Sequence, residues 1–187
     1  QLHPHDPVAP GSSRCSMIPS LASLEERRAA RQYENYRLYA RSAALCFELD
    51  QLAAARPDEV LRTISIEGAG ALSSPSGAER YDWANKCCFQ LTRRELPLFV
   101  GTLMGWIPEF AARGHGPDHS KSLTISQQPG GLKLMLSQKG KQLVVPVTAD
   151  DVYMVLALAI KALVLNDPHL TSDSALSLCR RIASLKG

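Results

Sequence analysis

Charge of one sign is scarce in this sequence. Its 21 basic residues nearly balance 18 acidic ones, leaving a net charge of +3 over 187 residues. That balance neither demands nor excludes a polyanionic partner, because a binding face needs a local cluster of cations rather than a global excess. Long hydrophobic runs are missing too. The most apolar stretch, Val152 to Leu165, has 14 residues and one lysine, whereas a bilayer-spanning helix needs about 20. No transmembrane segment is expected. Cysteines are few and odd in number: Cys15, Cys46, Cys87, Cys88 and Cys179, with no Cys-x-x-Cys. Neither a disulfide framework nor a zinc site follows, and a reducing compartment fits better than secretion. His3 and His5 flank Pro4 without further ligands. There is no nucleophile elbow, no P-loop and no complete triad. Gly68-Ala69-Gly70 lacks the third glycine of a dinucleotide fingerprint, and His115 with Asp118 lacks a nucleophile. The expectation is therefore a non-enzymatic protein without metal or cofactor.

What is present is a 45% hydrophobic composition, enough for one core in a single domain with extensions. Residues 1–20 carry four prolines and read as an extended arm. Residues 20–56 read as a long helix. Ser23 and Glu26 have capping-box spacing, Tyr36, Ala40, Ala43 and Phe47 fall on one helical face, and Pro57 ends the pattern. Leu61–Glu67 alternates as a strand, with Gly68, Gly70 and Ser73–Gly77 as turn or loop. Arg93–Ala112 reads as a second helix and Arg113–His119 as a surface loop. Ser120–Thr148 reads as a meander of three strands, turning at Gln128–Gly131 and at Gln138-Lys139-Gly140; Pro146 marks a strand end or sheet edge. Thr148 with Asp151 caps a hydrophobic helix, and Ser172–Lys186 is a short amphipathic one.

The stretch from Glu79 to Phe99 organises the chain. Tyr81–Thr92 reads as a strand, and Thr92 with Glu95 then caps a helix. Tyr81 and Trp83 are either corner packing or a stacking surface, and Lys86 is placed to meet a phosphate. Cys87 and Cys88 point to opposite faces. Tyr81-Asp82-Trp83-x-x-Lys86-x-x-Phe89-x-Leu91-x-x-x-Glu95 resembles the Whirly family and its kinetoplastid relatives, the MRP-type mitochondrial guide-RNA-binding proteins. The resemblance runs from about Leu61 to Leu165 and takes in the Pro-Gly-Gly turn and Val144–Thr148. It implies an α+β fold of antiparallel sheets packed with helices, used for single-stranded nucleic acid, usually as a tetramer. The family's Lys-Gly-Lys-Ala-Leu signature belongs in an early strand. Here Lys139-Gly140-Lys141 falls between two late strands, and the long helix stands where the early strands would be.

Four segments are thus expected: an arm over 1–20, a helical extension over 21–56, a Whirly-like domain over 57–166 and a docking helix over 167–187. The first functional expectation is a structural, accessory subunit of a large mitochondrial assembly, partnered by other protein subunits. A euglenozoan-type ATP synthase is the first guess, then a respiratory complex or the mitochondrial ribosome. The start at Gln1 matches what removal of a mitochondrial presequence leaves, although an engineered start leaves the same residue. The alternative is binding of single-stranded RNA or DNA by Tyr81, Trp83, Lys86, Lys121, Lys133, Lys139 and Lys141.

Overall fold

The structure, a computed structural model, describes residues 34–53, 59–73 and 80–186. The arm, the Ser23–Glu26 capping box and most of the loop after Ser73 lie outside them. Two antiparallel sheets and three helices share one hydrophobic core. The first sheet holds β1 (Asn35–Tyr39), β2 (Ala43–Leu52), β3 (Leu61–Leu72), β4 (Arg80–Tyr81) and β5 (Cys87–Gln90), with β3 pairing β2 on one side and β4 and β5 on the other. The second sheet runs in sequence order: β6 (Glu109–His115), β7 (Lys121–Gln128), β8 (Gly131–Gln138) and β9 (Lys141–Thr148). The helices are α1 (Glu95–Leu103), α2 (Ala149–Asn166) and α3 (Ser172–Ser184). The fold is α+β, as expected.

The predicted long helix over 20–56 is not found in its described half, which forms β1 and β2. Leu45, Phe47 and Leu49 stand two residues apart and are all buried, which is the strand period. The apparent helical stripe through Tyr36, Ala40, Ala43 and Phe47 has spacings that straddle both periods. Register decides between them: Leu45 pairs Gly68 and Phe47 pairs Ile66, so both aliphatic rows enter the core together. Residues 34–53 therefore belong to the sheet rather than to a helical extension.

β3 also runs further than predicted, through the Gly68–Gly70 segment read as a turn. At Gly68 the second sheet's side chains press on the β3 backbone: a Cβ there would sit 2.8 Å from Leu143 and 2.9 Å from Leu136. Its glycine serves packing rather than a phosphate.

The helix predicted for Arg93–Ala112 stops at Leu103. The Thr92–Glu95 capping box forms, Glu95 Oε2 accepting from the Thr92 N–H at 2.9 Å. Gly105 takes φ 75°, and its N–H bonds Thr102 O while the Trp106 N–H bonds Gly101 O. This is the Schellman ending that a left-handed glycine allows. Beyond it Phe110 and Ala112 are buried while Glu109, Ala111 and Arg113 are exposed, so β6 alternates and takes in Arg113 and His115 from the predicted loop. The meander after Ser120 forms as read, and Pro146 lies on β9, an edge strand among the described residues.

α2 is held at both ends. Thr148 and Asp151 form the reciprocal capping box. At the other end Asn166 clasps Arg62, accepting from its N–H at 2.6 Å and donating to its carbonyl at 2.8 Å. Among the described residues no helix is long and apolar enough to cross a membrane.

Candidate nucleic-acid interface

The strand predicted over Tyr81–Thr92 is broken by a single 3-10 turn, Trp83–Asn85. Asp82 makes the break, its carboxylate accepting from the Asn85 N–H at 3.2 Å and from the Asn85 amide at 3.1 and 3.0 Å. Asp, Asn and Ser favour such local bonds over a ladder. The turn lifts Trp83 away from the core: Tyr81 and Trp83 are both half-buried, whereas Phe89 is fully buried. Tyr81 donates its hydroxyl to the Ala40 carbonyl at 3.1 Å, and its ring lies 5.6 Å from that of Tyr39. The Arg37 guanidinium sits 5.7 Å from the Trp83 ring centre, within cation–π range. Tyr39 is 57% exposed. The outward face at the end of the first sheet thus carries one aromatic pair and one cation–π pair.

Lys86 follows the turn and places Nζ 2.6 Å from Glu67 Oε1. The Glu67 hydrogen bond raises the lysine pKa above its ordinary value. Lys141 reaches over from β9 and donates to the Asn85 carbonyl at 3.1 Å. Lys139 and Gly140 both take positive φ at the β8–β9 hairpin, which is the backbone a two-residue turn requires. Lys139 Nζ lies 3.3 Å from Asp118. The Ser120 hydroxyl, and after it Lys139, holds the Asp118 pKa down at about 2 in spite of desolvation. Lys86, Lys139 and Lys141, with Asn85, Cys87 and Gln138, line one open depression of about 280 Å³.

Lys121 lines a second, larger cleft of about 500 Å³, together with Asp50, Glu67, Gln90 and His115. It belongs to the same cationic neighbourhood. Burial pushes the Cys87 thiol pKa up, and Lys121 and Lys141 pull it partly back. Burial likewise raises Cys88, opposed by Lys86 and Lys121. Cys87 is buried and Cys88 half-buried on the other face of β5, as alternation requires. Lys133 is not part of this group. It is exposed near the far end of β8, about 20 Å of strand from Lys139 at the usual rise.

His115 pairs with Glu95, not with Asp118: Nε2 lies 2.8 Å from Glu95 Oε1 and the ring stacks on Phe89 at 4.2 Å. His119 bonds the Gly114 carbonyl at 2.9 Å. Among the described residues no three His, Cys, Asp or Glu side chains gather to hold a metal ion.

The helical reading of the segment puts Arg37 and Arg41 on a basic helix face and gives Tyr39 no role, whereas the strand sets Arg37 over Trp83 and Tyr39 against Tyr81. The alternation of Leu45, Phe47 and Leu49 just after these residues was the signal that could have exposed the strand. Early strands do stand at the front of the fold, and Ala40-Arg41-Ser42-Ala43-Ala44-Leu45 occupies the β1–β2 turn and the start of β2. The segment keeps an Ala-Leu pair and a cation, without the two lysines of the family signature.

No protein-family model and no curated protein matches the sequence. Solved structures do. WHY1 from Arabidopsis thaliana aligns with a TM-score of 0.50 at 19% identity, over 75% of this chain and 94% of its own. The plant transcriptional regulator PBF-2 aligns with a TM-score of 0.49 at 18% identity, over 82% of this chain and 96% of its own. WHY3 from Arabidopsis thaliana gives 0.48 at 22% identity, over 81% and 96%. At these identities the likeness is one of architecture, and the protein has a Whirly-like α+β fold.

Proposed function

We propose that the protein binds single-stranded nucleic acid where the Trp83 turn meets the β8–β9 hairpin. The carrying observation is the convergence of Lys86, Lys139 and Lys141 from separate elements on one open depression beside that turn. Ammonium groups there meet phosphates, and the outward rings of Tyr39, Tyr81 and Trp83 offer π-faces to unpaired bases. Neither contact reads sequence, so DNA and RNA strands are both substrates of this face. The Whirly-like fold supports the reading by supplying the two sheets whose ends meet at this site. The role is one of binding, with no reaction assigned.

Fluorescence anisotropy with labelled single-stranded oligonucleotides tests it. Micromolar or tighter binding at low salt is expected, weakened severalfold by Lys86→Ala. No binding at low salt would dispose of the reading.

A second reading, an accessory subunit held by protein partners, is favoured by the helices. Tyr153 on α2 is 71% exposed, Leu178 on α3 52% and Leu185 just past its end 69%, apolar side chains that protein contacts would cover. A mitochondrial complex is the expected setting. Cross-linking in organelle extracts tests this, and recovery of the chain free of other subunits would count against it.

A further inference from the structure

The 500 Å³ cleft beside the lysine cluster has walls of opposite character. Its floor is the outward face of β3 and β5. Its other side is the end of β6 and the start of β7, where the Lys121 stem lies along the open backbone of Gly116.

The floor is locked to present acceptors. Asp50 accepts from the Ser65 hydroxyl, from the Gln90 amide at 2.7 Å and from the Gln51 N–H at 2.7 Å. Burial works against its charge, but these bonds outweigh it and keep its pKa below the ordinary value. Gln90 Nε2 also reaches the Gln51 carbonyl at 3.4 Å. Both amide hydrogens are thereby committed, leaving the carbonyl oxygen Oε1 for a ligand. Glu67 engages Lys86 and the Cys88 thiol through Oε1. Its Oε2 has no partner among the described residues. Glu67 and Gln90 stand on neighbouring strands as a diagonal pair, since Glu67 faces Cys88 and Gln90 faces Ser65. Two oriented acceptors on the floor and an ammonium on the wall select a flat ligand with donors on one edge and acceptors on the other.

Guanine has that pattern. Its N1–H and N2 amino group are adjacent donors, and O6 and N7 are adjacent acceptors. Thymine and uracil offer one N–H between two carbonyls, which would meet the floor oxygens. Adenine and cytosine offer an amino group beside a ring acceptor. We propose that this cleft takes a guanine of the bound strand, with Glu67 and Gln90 accepting from its Watson–Crick edge and Lys121 donating to O6 or N7. The proposal rests on the strand-binding reading above and adds base preference to it.

The test compares oligothymidylate with the same oligomer carrying one central guanine. It also compares guanosine and uridine 5′-monophosphates by NMR titration of the full chain. The guanine oligomer should bind about tenfold more tightly, the gain expected of one well-read base. Glu67→Gln should bring the two oligomers within about twofold while oligothymidylate still binds, and the ratio cancels any change in Lys86. Lys121→Met is the second variant if the first does not fold, and should also reduce the ratio. Equal binding of both oligomers by the wild type overturns the pocket and leaves strand binding standing. Binding of the guanosine but not the uridine monophosphate, with no oligomer bound, upholds the pocket and overturns the strand reading. If no nucleotide or oligomer binds, both fall.

Discussion

From β8 and β9 the second sheet turns Lys133, Val144 and Pro146 to solvent, and among the described residues a single hydrogen bond joins two outward side chains there, Gln142 to the Met135 sulfur. From β1, β2, β3 and β5 the first sheet turns outward three groups of paired side chains: Arg37 over Trp83, Glu67 to Lys86 and Cys88, and Asp50 to Ser65 and Gln90. Inward, the two are alike, each giving alternating aliphatic rows to one core. Core alternation therefore says how a sheet is held, while polar contacts on the outward face say where a sheet has work to do. A solvated face has no need to fix the rotamers of an arginine, two acids and a glutamine. A recognition surface gains from it, because side chains ordered in advance lose less entropy on binding.

The comparison can be broken in five places. Phe47→Ala removes a fully buried ring of the first sheet and should cost about 4 kcal/mol, read as a lower urea midpoint at unchanged slope. Gly131→Ala challenges the second sheet. Its Cβ would lie 2.2 Å from the Val147 carbonyl oxygen, and the forced shift of β8 against β9 should cost about 3 kcal/mol. If either variant melted like the wild type, the claim of equal cores would be wrong. Trp83→Ala acts on the outward face and should weaken oligonucleotide binding about tenfold, the worth of one stacked base, with the thermal midpoint little changed.

Tyr36→Phe is a smaller probe, of the seam between the first sheet and α2. The Tyr36 hydroxyl donates to Asp151 at 2.7 Å. That bond, then burial and the nearby acids, pushes the phenol pKa up to about 12. Burial disfavours the Asp151 charge, but bonds from Thr148 and Tyr36 outweigh it and lower its pKa. The variant should lose about 1 kcal/mol at neutral pH. A raised acid contributes fully below its unfolded pKa, about 10, and its contribution fades as pH rises through 12. The lowered Asp151 contributes above its own unfolded value and fades in acid. Urea melts should therefore show the gap between wild type and variant closing at both extremes. Lys133→Ala, on the second sheet's solvated face, should change oligonucleotide affinity less than about twofold.

Three strands of the second sheet, β7 to β9, were legible because their hairpins carry Pro-Gly-Gly and Lys-Gly-Lys turns between alternating runs, whereas β6 was read as helix and loop. The caps at Thr92 and Thr148 were legible because their acid stands three residues on. β1 and β2 were misread because Tyr36, Ala40, Ala43 and Phe47 satisfy a helical spacing, and only pairing with β3 settles the period. The helix predicted to Ala112 ends at Leu103 because Gly105 takes a positive φ, and apolar residues continue past it without a break in the sequence pattern. Of the predicted site residues, Lys86, Lys139 and Lys141 converge beside Trp83 and Tyr81, with Lys121 in the adjoining cleft. Lys133 stands apart, since a lysine on a strand face gives no hint of its distance along the sheet. The cleft floor of Asp50, Ser65, Glu67 and Gln90 was invisible in sequence, being assembled from three strands by register alone.

The salt dependence of oligonucleotide affinity tests the central claim most directly, measured on the wild type and on the Lys139→Ala/Lys141→Ala double variant. Three phosphate contacts on a single strand give a log–log slope of about −2, or about a twentyfold loss between 50 and 200 mM salt. The double variant should retain a slope of about −0.7. Equal slopes for the two proteins would contradict the account.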